Sequence, residues 1–155
     1  MKKLGICLIT MLVIDPSTQK LGWARFTKNT IELINCGVCN APMEKSLDIL
    51  FRKTQHASIC IVEKPNRIDE GIPPMKIVKL GGVVGMVKLL AYQNGMRYLE
   101  VNPTQLTKEK TKIRVRQKFP NIDFLLKNVA ESYRHNAIDA VHLGMIYGKR
   151  FKYNR

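Results

Sequence analysis

"VIDPSTQKLGWA", residues 13–24, decides how the rest of the chain is read. An apolar run from Cys7 to Ile14 stops at Asp15, and Pro16 and Ser17 turn the chain. Such a run bounded by turn residues reads as a buried strand, taken as residues 8–14. A carboxylate at the tip of that strand is partly withdrawn from water and needs a cation, either a Lys/Arg or a metal ion. Glu63 repeats the arrangement. "SICIVE", 58–63, is a second apolar strand ending in an acid, and Pro65 follows. Asp before Pro is ordinary turn chemistry, which accounts for one such acid more readily than for two. In open α/β sheets, ligands gather beyond the carboxyl ends of strands.

Working outward, "LGWARFT" (21–27) and "TIELINCGV" (30–38) read as two further strands joined by the turn Lys28-Asn29. Met43, Leu47, Leu50 and Phe51 have helical spacing within 43–56. Pro73 and Pro74 open a helix of about 19 residues, since proline suits the first helical position. "MRYLEV" (96–101) reads as a strand, a basic segment covers 104–119 up to Pro120, and a last helix covers about 131–148. The order is three strands, helix, strand, helix, strand, helix, helix. It predicts a mixed sheet in one α/β domain spanning 1–155.

The 155 residues carry 26 Lys+Arg against 12 Asp+Glu, a net charge of +14, which favours a polyanionic partner and nucleic acid first. No long basic amphipathic helix argues for a membrane surface instead. Cys36 and Cys39 form one C-x-x-C with no second pair to complete a zinc site, and no helix starts at Cys36 to suit a redox motif. Reduced thiols in a cytoplasmic protein are expected, including Cys7 and Cys60. The start, "MKKLGICLITMLVI", has the look of a signal peptide but lacks a small-residue cleavage site and is too short to span a membrane. Met11 would serve as an alternative start, making residues 1–10 an extension.

The third acid is Asp139, in "YRHNAIDAVHLGMIY" (133–147). Read as a helix, this segment packs Ala137, Val141, Gly144 and Met145 and gathers His135, Asn136, Asp139 and His142 on a polar face. Three carboxylates from remote parts of the chain suit hard cations such as Mg²⁺, with Mn²⁺ as a substitute. On a strongly basic chain they point to phosphodiester hydrolysis by two metal ions roughly 3.5–4 Å apart. "TKEKTKIRVRQK" (107–118) supplies a phosphate-contact surface through Lys108, Lys110, Lys112, Arg114, Arg116 and Lys118. Its period of two is a strand signal; as a helix, its inner side would carry Leu106 and Ile113.

These residues resemble the RuvC-type Holliday-junction resolvases of the RNase H-like superfamily, particularly the short bacteriophage forms. "IDPS…GWA" is similar to the family's first strand, "IVEKP" to its second acid motif and "LGGVVG" to its Leu-Gly-x-x-x-Gly helix. "VNPTQL…EKTKIRV" resembles its lysine-bearing helix and "IDAVHLG" its final motif. The resemblance covers most of 11–148. It implies an RNase H-like mixed five-stranded sheet with helices on both faces and a structure-selective endonuclease for four-way DNA junctions. It also implies metal ligands Asp15, Glu63 and Asp139, and Lys110 stabilising phosphate charge, with Lys108 and Lys112 as rivals. It favours a helix for the basic segment. Where the family has an acid or His three positions before its last Asp, this chain has Asn136, beside His135. Either Asn136 is a weak ligand, His135 takes the role, or the chain binds junctions without cutting. A less selective nuclease for flaps, forks or hybrids is the other alternative.

"MKIVKLGGVVGMVKLLAY" (75–92) is apolar on nearly every side. That predicts burial beyond one sheet face, and Gly81, Gly82 and Gly85 would admit another backbone closely. The resemblance implies a homodimer through this helix, around 75–91. Trp23 is expected in the core. Residues 66–72 are expected to form a loop near the junction centre, with Arg67 on DNA and without an aromatic wedge.

Overall fold

The computed structural model describes residues 9–65, 73–103 and 106–151. The predicted Arg67 contact and the 66–72 loop lie outside these residues, as does Cys7. Five strands form one sheet: β1 Thr10–Asp15, β2 Lys20–Thr27, β3 Leu33–Asn40, β4 Ala57–Glu63 and β5 Arg97–Val101. The order is β3-β2-β1-β4-β5, with β1, β2 and β3 antiparallel in sequence and β1, β4 and β5 parallel. β1 starts two residues later than expected and includes Asp15. Thr10 already pairs with Thr27, and the carbonyl of Ile9 accepts from the N–H of Lys28.

Helices cover both faces. Alternation along each strand sends successive side chains to opposite sides. Leu12, Ile14, Leu21, Cys60 and Val62 meet α1 (Met43–Lys53) and α2 (Pro74–Gln93). Met11, Val13, Ala24, Phe26, Ile59 and Ile61 meet α3 (Lys108–Lys118), α4 (Ile122–Leu125) and α5 (Arg134–Phe151). The same alternation sends Cys36 to one core and Cys39 to the other, so this C-x-x-C cannot chelate one ion. Trp23 packs half-buried against the α1–α2 core, its ring against Gly37. Among the described residues no helix is long and apolar enough to cross a membrane.

Several expectations need correction. The β2–β3 connection is not a two-residue turn, and β3 starts at Leu33 rather than residue 30. The N–H of Thr27 donates to the carbonyl of Glu32, and Ile31 lies at φ 53°. A β-branched residue there costs about 1–3 kcal/mol; burial of the Ile31 side chain, 8 % exposed, offsets it. α1 ends at Lys53 rather than residue 56, and its C-terminal neighbour Thr54 folds its hydroxyl back to the carbonyl of Leu50. The basic segment is a helix, as the family resemblance implied, and the side chain of Thr107 caps it by accepting from the N–H of Lys110. Its inner face is Thr111, Val115 and Phe119, not Ile113, which is 56 % exposed. The short helix α4 was not foreseen. The last helix begins at Arg134, after a 3₁₀ turn over Glu131–Tyr133.

Candidate active site

Strand parity builds the first half of the site. Ile14 pairs with Val62 across parallel β1 and β4, and both face the α1–α2 core. The next residue on each strand, Asp15 and Glu63, therefore turns to the α5 side. Both acids are the last residues of adjacent parallel strands and lie side by side at the carboxyl end of the sheet.

Packing of α5 supplies the third acid. Gly22 pairs with Asp15 in the β1–β2 ladder and lies against the backbone of Asn136; a Cβ on Gly22 would overlap the Asn136 carbonyl. The absent side chain lets the first turn of α5 settle on β2 beside Asp15. One turn further, Asp139 reaches a cavity of about 120 Å³ lined by Asp15, Glu63, Leu106, Lys108, Thr111, Asp139 and His142. The 45-residue sequence separation of the next contact shows how α5 is held: the hydroxyl of Tyr147 donates to the carbonyl of Asn102, just past β5, at 2.8 Å.

The cavity favours positive charge. Burial first, then the charges of Glu63 and Asp139, push the Asp15 carboxyl up to about 8. Burial and then Asp139 push Glu63 up to about 7. Asp139 is also raised by burial, an effect opposed by the nearby charges of His135, Lys108 and Lys112, in that order. Carboxyls displaced in this way take up a proton or a cation to relieve desolvation and mutual repulsion. The three acids share the cavity without forming a preformed cage: among the described residues, no three His, Cys, Asp or Glu side chains are arranged to hold a metal ion. The donor set is nonetheless oxygen-rich and free of thiols, which fits Mg²⁺ or Mn²⁺.

The other sequence candidates divide. Lys108 stands in the cavity wall and Lys112 acts on Asp139 by its charge, whereas Lys110 is exposed and is not among the lining residues. Asn136 does not line the cavity either. Its side-chain amide donates to the carbonyl of Tyr133 at 3.3 Å, within the start of α5. His135 is half-buried and reaches Asp139 electrostatically. His142, expected on a polar face with the others, is 1 % exposed and packs into the cavity wall, where burial and then Arg114 lower its pKa. Arg114, Arg116 and Lys118 are exposed along α3. Thr111 and Gly22 were missed by sequence reasoning. Their signal was available only as "GWA" after the first acid and a small residue four before Val115.

No protein-family model matches the chain, and no curated protein sequence matches it. Solved structures do. The fowlpox virus Holliday junction resolvase aligns with a TM-score of 0.66 at 16 % identity, covering 92 % of this chain and 99 % of that one. Thermus thermophilus RuvC in complex with its Holliday junction substrate aligns with a TM-score of 0.56 at 13 % identity, covering 93 % and 97 %. The yeast mitochondrial Holliday junction resolvase Ydc2 gives 0.57 at 13 %, covering 96 % and 82 %. The chain thus has the RNase H-like fold shared by these proteins, over nearly its whole length.

Proposed function

We propose that this protein is an endonuclease that cuts branched DNA, foremost four-way junctions, with divalent metal ions held by Asp15, Glu63 and Asp139. One observation carries the reading: three carboxylates from β1, β4 and α5 meet at one cavity, with Lys108 in its wall, on a chain of net charge +14. The likeness in fold to junction resolvases supports the substrate.

Mg²⁺, or Mn²⁺ in its place, would supply charge neutralisation at the phosphodiester and a lowered pKa for the attacking water. The chain's own residues do the rest. The acids of the two strands, fixed by the ladder between β1 and β4, set the floor, and Asp139 closes the side next to α5. Lys108 neutralises charge on the phosphate that enters. The charges of His135, Lys108 and Lys112 oppose the burial that raises Asp139. Asn136 is read as an anchor for the start of α5, through its bond to the Tyr133 carbonyl, and not as a metal ligand.

A second copy of the chain completes the enzyme. Of α2, Val83, Val87 and Ala91 are buried in the sheet, while Met75, Val78, Leu89 and Tyr92 are 57–67 % exposed. A Cβ at Gly81, Gly82 or Gly85 would meet nothing within 4 Å, leaving a smooth backbone strip for an opposing helix. A two-fold dimer through α2 places two metal sites for two strands of like polarity.

The test is a synthetic four-way junction incubated with and without Mg²⁺ and resolved on denaturing and native gels. Paired, symmetric nicks that require Mg²⁺ are the expected result. Equal cutting of flaps or forks assigns a broader nuclease, and a retarded band with no product assigns a binding protein.

A further inference from the structure

A second cleft lies away from the acids. It measures about 560 Å³ and is lined by Thr30, Ile31, Arg114, Lys118, Phe119, Met145, Ile146 and Lys149. Helices α3 and α5 run side by side in one direction. Their N-terminal parts share the acidic cavity, through Lys108 and Asp139, and their last turns share this cleft, through Lys118 and Lys149. The β2–β3 connection forms its third wall, where the left-handed turn at Ile31 drives that side chain inward against Gly148.

Arg114, Lys118 and Lys149 converge here without a carboxylate. The ion pairs of the described residues are Arg52–Asp48, Lys112–Glu109 and Arg116–Asp123, and none involves these three cations. Part of the charge at Lys118 and Lys149 offsets the carbonyl ends of α3 and α5. That role needs no cleft and does not account for Arg114, which sits a turn earlier. Three cations around a concave surface without an internal counter-ion leave a strong positive potential, and its complement is an anion that enters the cleft.

We propose that this cleft grips the phosphate backbone of a duplex arm of the DNA whose cut bond lies at the acidic cavity. The inference rests on the nuclease reading and adds a second, remote holding point to it. Lys108 and Lys118, like Asp139 and Lys149, are ten positions apart, roughly 15 Å along an α-helix. A duplex arm lying along the two helices spans that length in about four to five base pairs, at 3.4 Å per nucleotide of one strand. The arm is thereby aligned with α3 and α5, and the cut is placed at a set distance from the held phosphates. The contacts are to backbone and carry no sequence preference.

The experiment measures equilibrium binding of the full chain to four-way junctions by fluorescence anisotropy in Ca²⁺ over a range of salt. One junction has arms of about 12 base pairs, and another has one pair of arms cut to about three, too short to reach the cleft. Wild type is compared with Arg114→Ala/Lys118→Ala/Lys149→Ala, with Lys149→Glu alone as an exposed single change, and with Lys45→Ala on α1 as a charge control from the opposite face. On long arms the triple variant should bind roughly 10–100-fold more weakly, and its slope of log K against log salt should shrink by about 2–3. On short arms wild type should already have lost that increment, and the variants should match it. Lys149→Glu should follow the triple variant in direction, and Lys45→Ala should follow wild type. Wild-type binding with no loss in the variants, or with equal loss on long and short arms, overturns the cleft while leaving the nuclease reading intact. Binding of a nucleoside triphosphate by the cleft with no dependence on arm length overturns it in favour of a small-anion site. Wild type that does not prefer the junction to plain duplex removes both readings.

Discussion

Replacing Asp15 by Asn removes the charge that the fold tolerates least and keeps the side chain's shape. Burial and two neighbouring acids raise this carboxyl from an ordinary 3.8 to about 8. The unfolded chain has no such environment, so between about pH 4 and pH 8 the folded chain binds the proton more tightly. Stability without metal therefore falls as pH rises across that window and is recovered as pH drops below it. The difference in proton affinity costs the folded state roughly 5 kcal/mol at pH 8 and roughly 2 kcal/mol at pH 5.5, at 1.36 kcal/mol per tenfold change in proton activity. Asp15→Asn escapes both costs. Its advantage over wild type in EDTA should grow by roughly 3 kcal/mol between pH 5.5 and 8, about 6–12 °C in Tm for a chain of this size. Solvent reaching a half-buried cavity lowers such figures, and a gain of about 3 °C already supports the reasoning. The assay is thermal unfolding by circular dichroism in EDTA at the two pH values, repeated with millimolar Mg²⁺. Bound Mg²⁺ stabilises the wild-type carboxylates and narrows the gap. Cleavage by the variant should vanish, while junction binding holds or tightens because negative charge has left the phosphate site. A variant less stable than wild type at both pH values would show Asp15 to be a structural hydrogen-bond partner and refute the electrostatic argument.

Other outcomes follow from particular contacts. Lys108→Ala should slow single-turnover cleavage of saturating junction by about 10²-fold, since it removes a charge from the cavity wall, whereas Lys110→Ala should change it severalfold at most. A reversed order of the two would place α3 in a different rotation. Gly22→Ala must push α5 off β2. Urea denaturation should report a loss of about 1–3 kcal/mol, and cleavage at a temperature where the variant is folded should fall as well, because Asp139 is displaced. Leu89→Glu on the exposed strip of α2 should shift the mass measured by light scattering from dimer to monomer with little change in Tm. An unchanged mass would mean that α2 is not where two copies meet. Asn136→Ala should lower Tm slightly through the lost hydrogen bond to Tyr133 and should leave the Mg²⁺ concentration for half-maximal cleavage unchanged; a severalfold rise would restore Asn136 as a ligand.

Local sequence was enough for the two strand-borne acids. Apolar runs bounded by turn residues read as buried strands, and the acid that ends each run sits at its strand's carboxyl end. Asp15 and Glu63 were therefore placed by pattern alone, as were α1, α2 and β5 to within a few residues. Tertiary structure decided what pattern could not encode. In α3, bases at nearly every second position leave no apolar stripe to fix the helix's rotation, so only packing against α5 showed that Lys108 faces the acids while Lys110 and Ile113 face outward. The α5 sequence placed Asp139 and His142 on one polar face. The close approach allowed by Gly22 set which turn of α5 meets the cavity, and it buried His142 in the wall. The strand ends follow from short-range hydrophobic alternation; convergence of the three acids depends on how far a helix can settle onto a sheet, which a single absent side chain on a neighbouring strand controls.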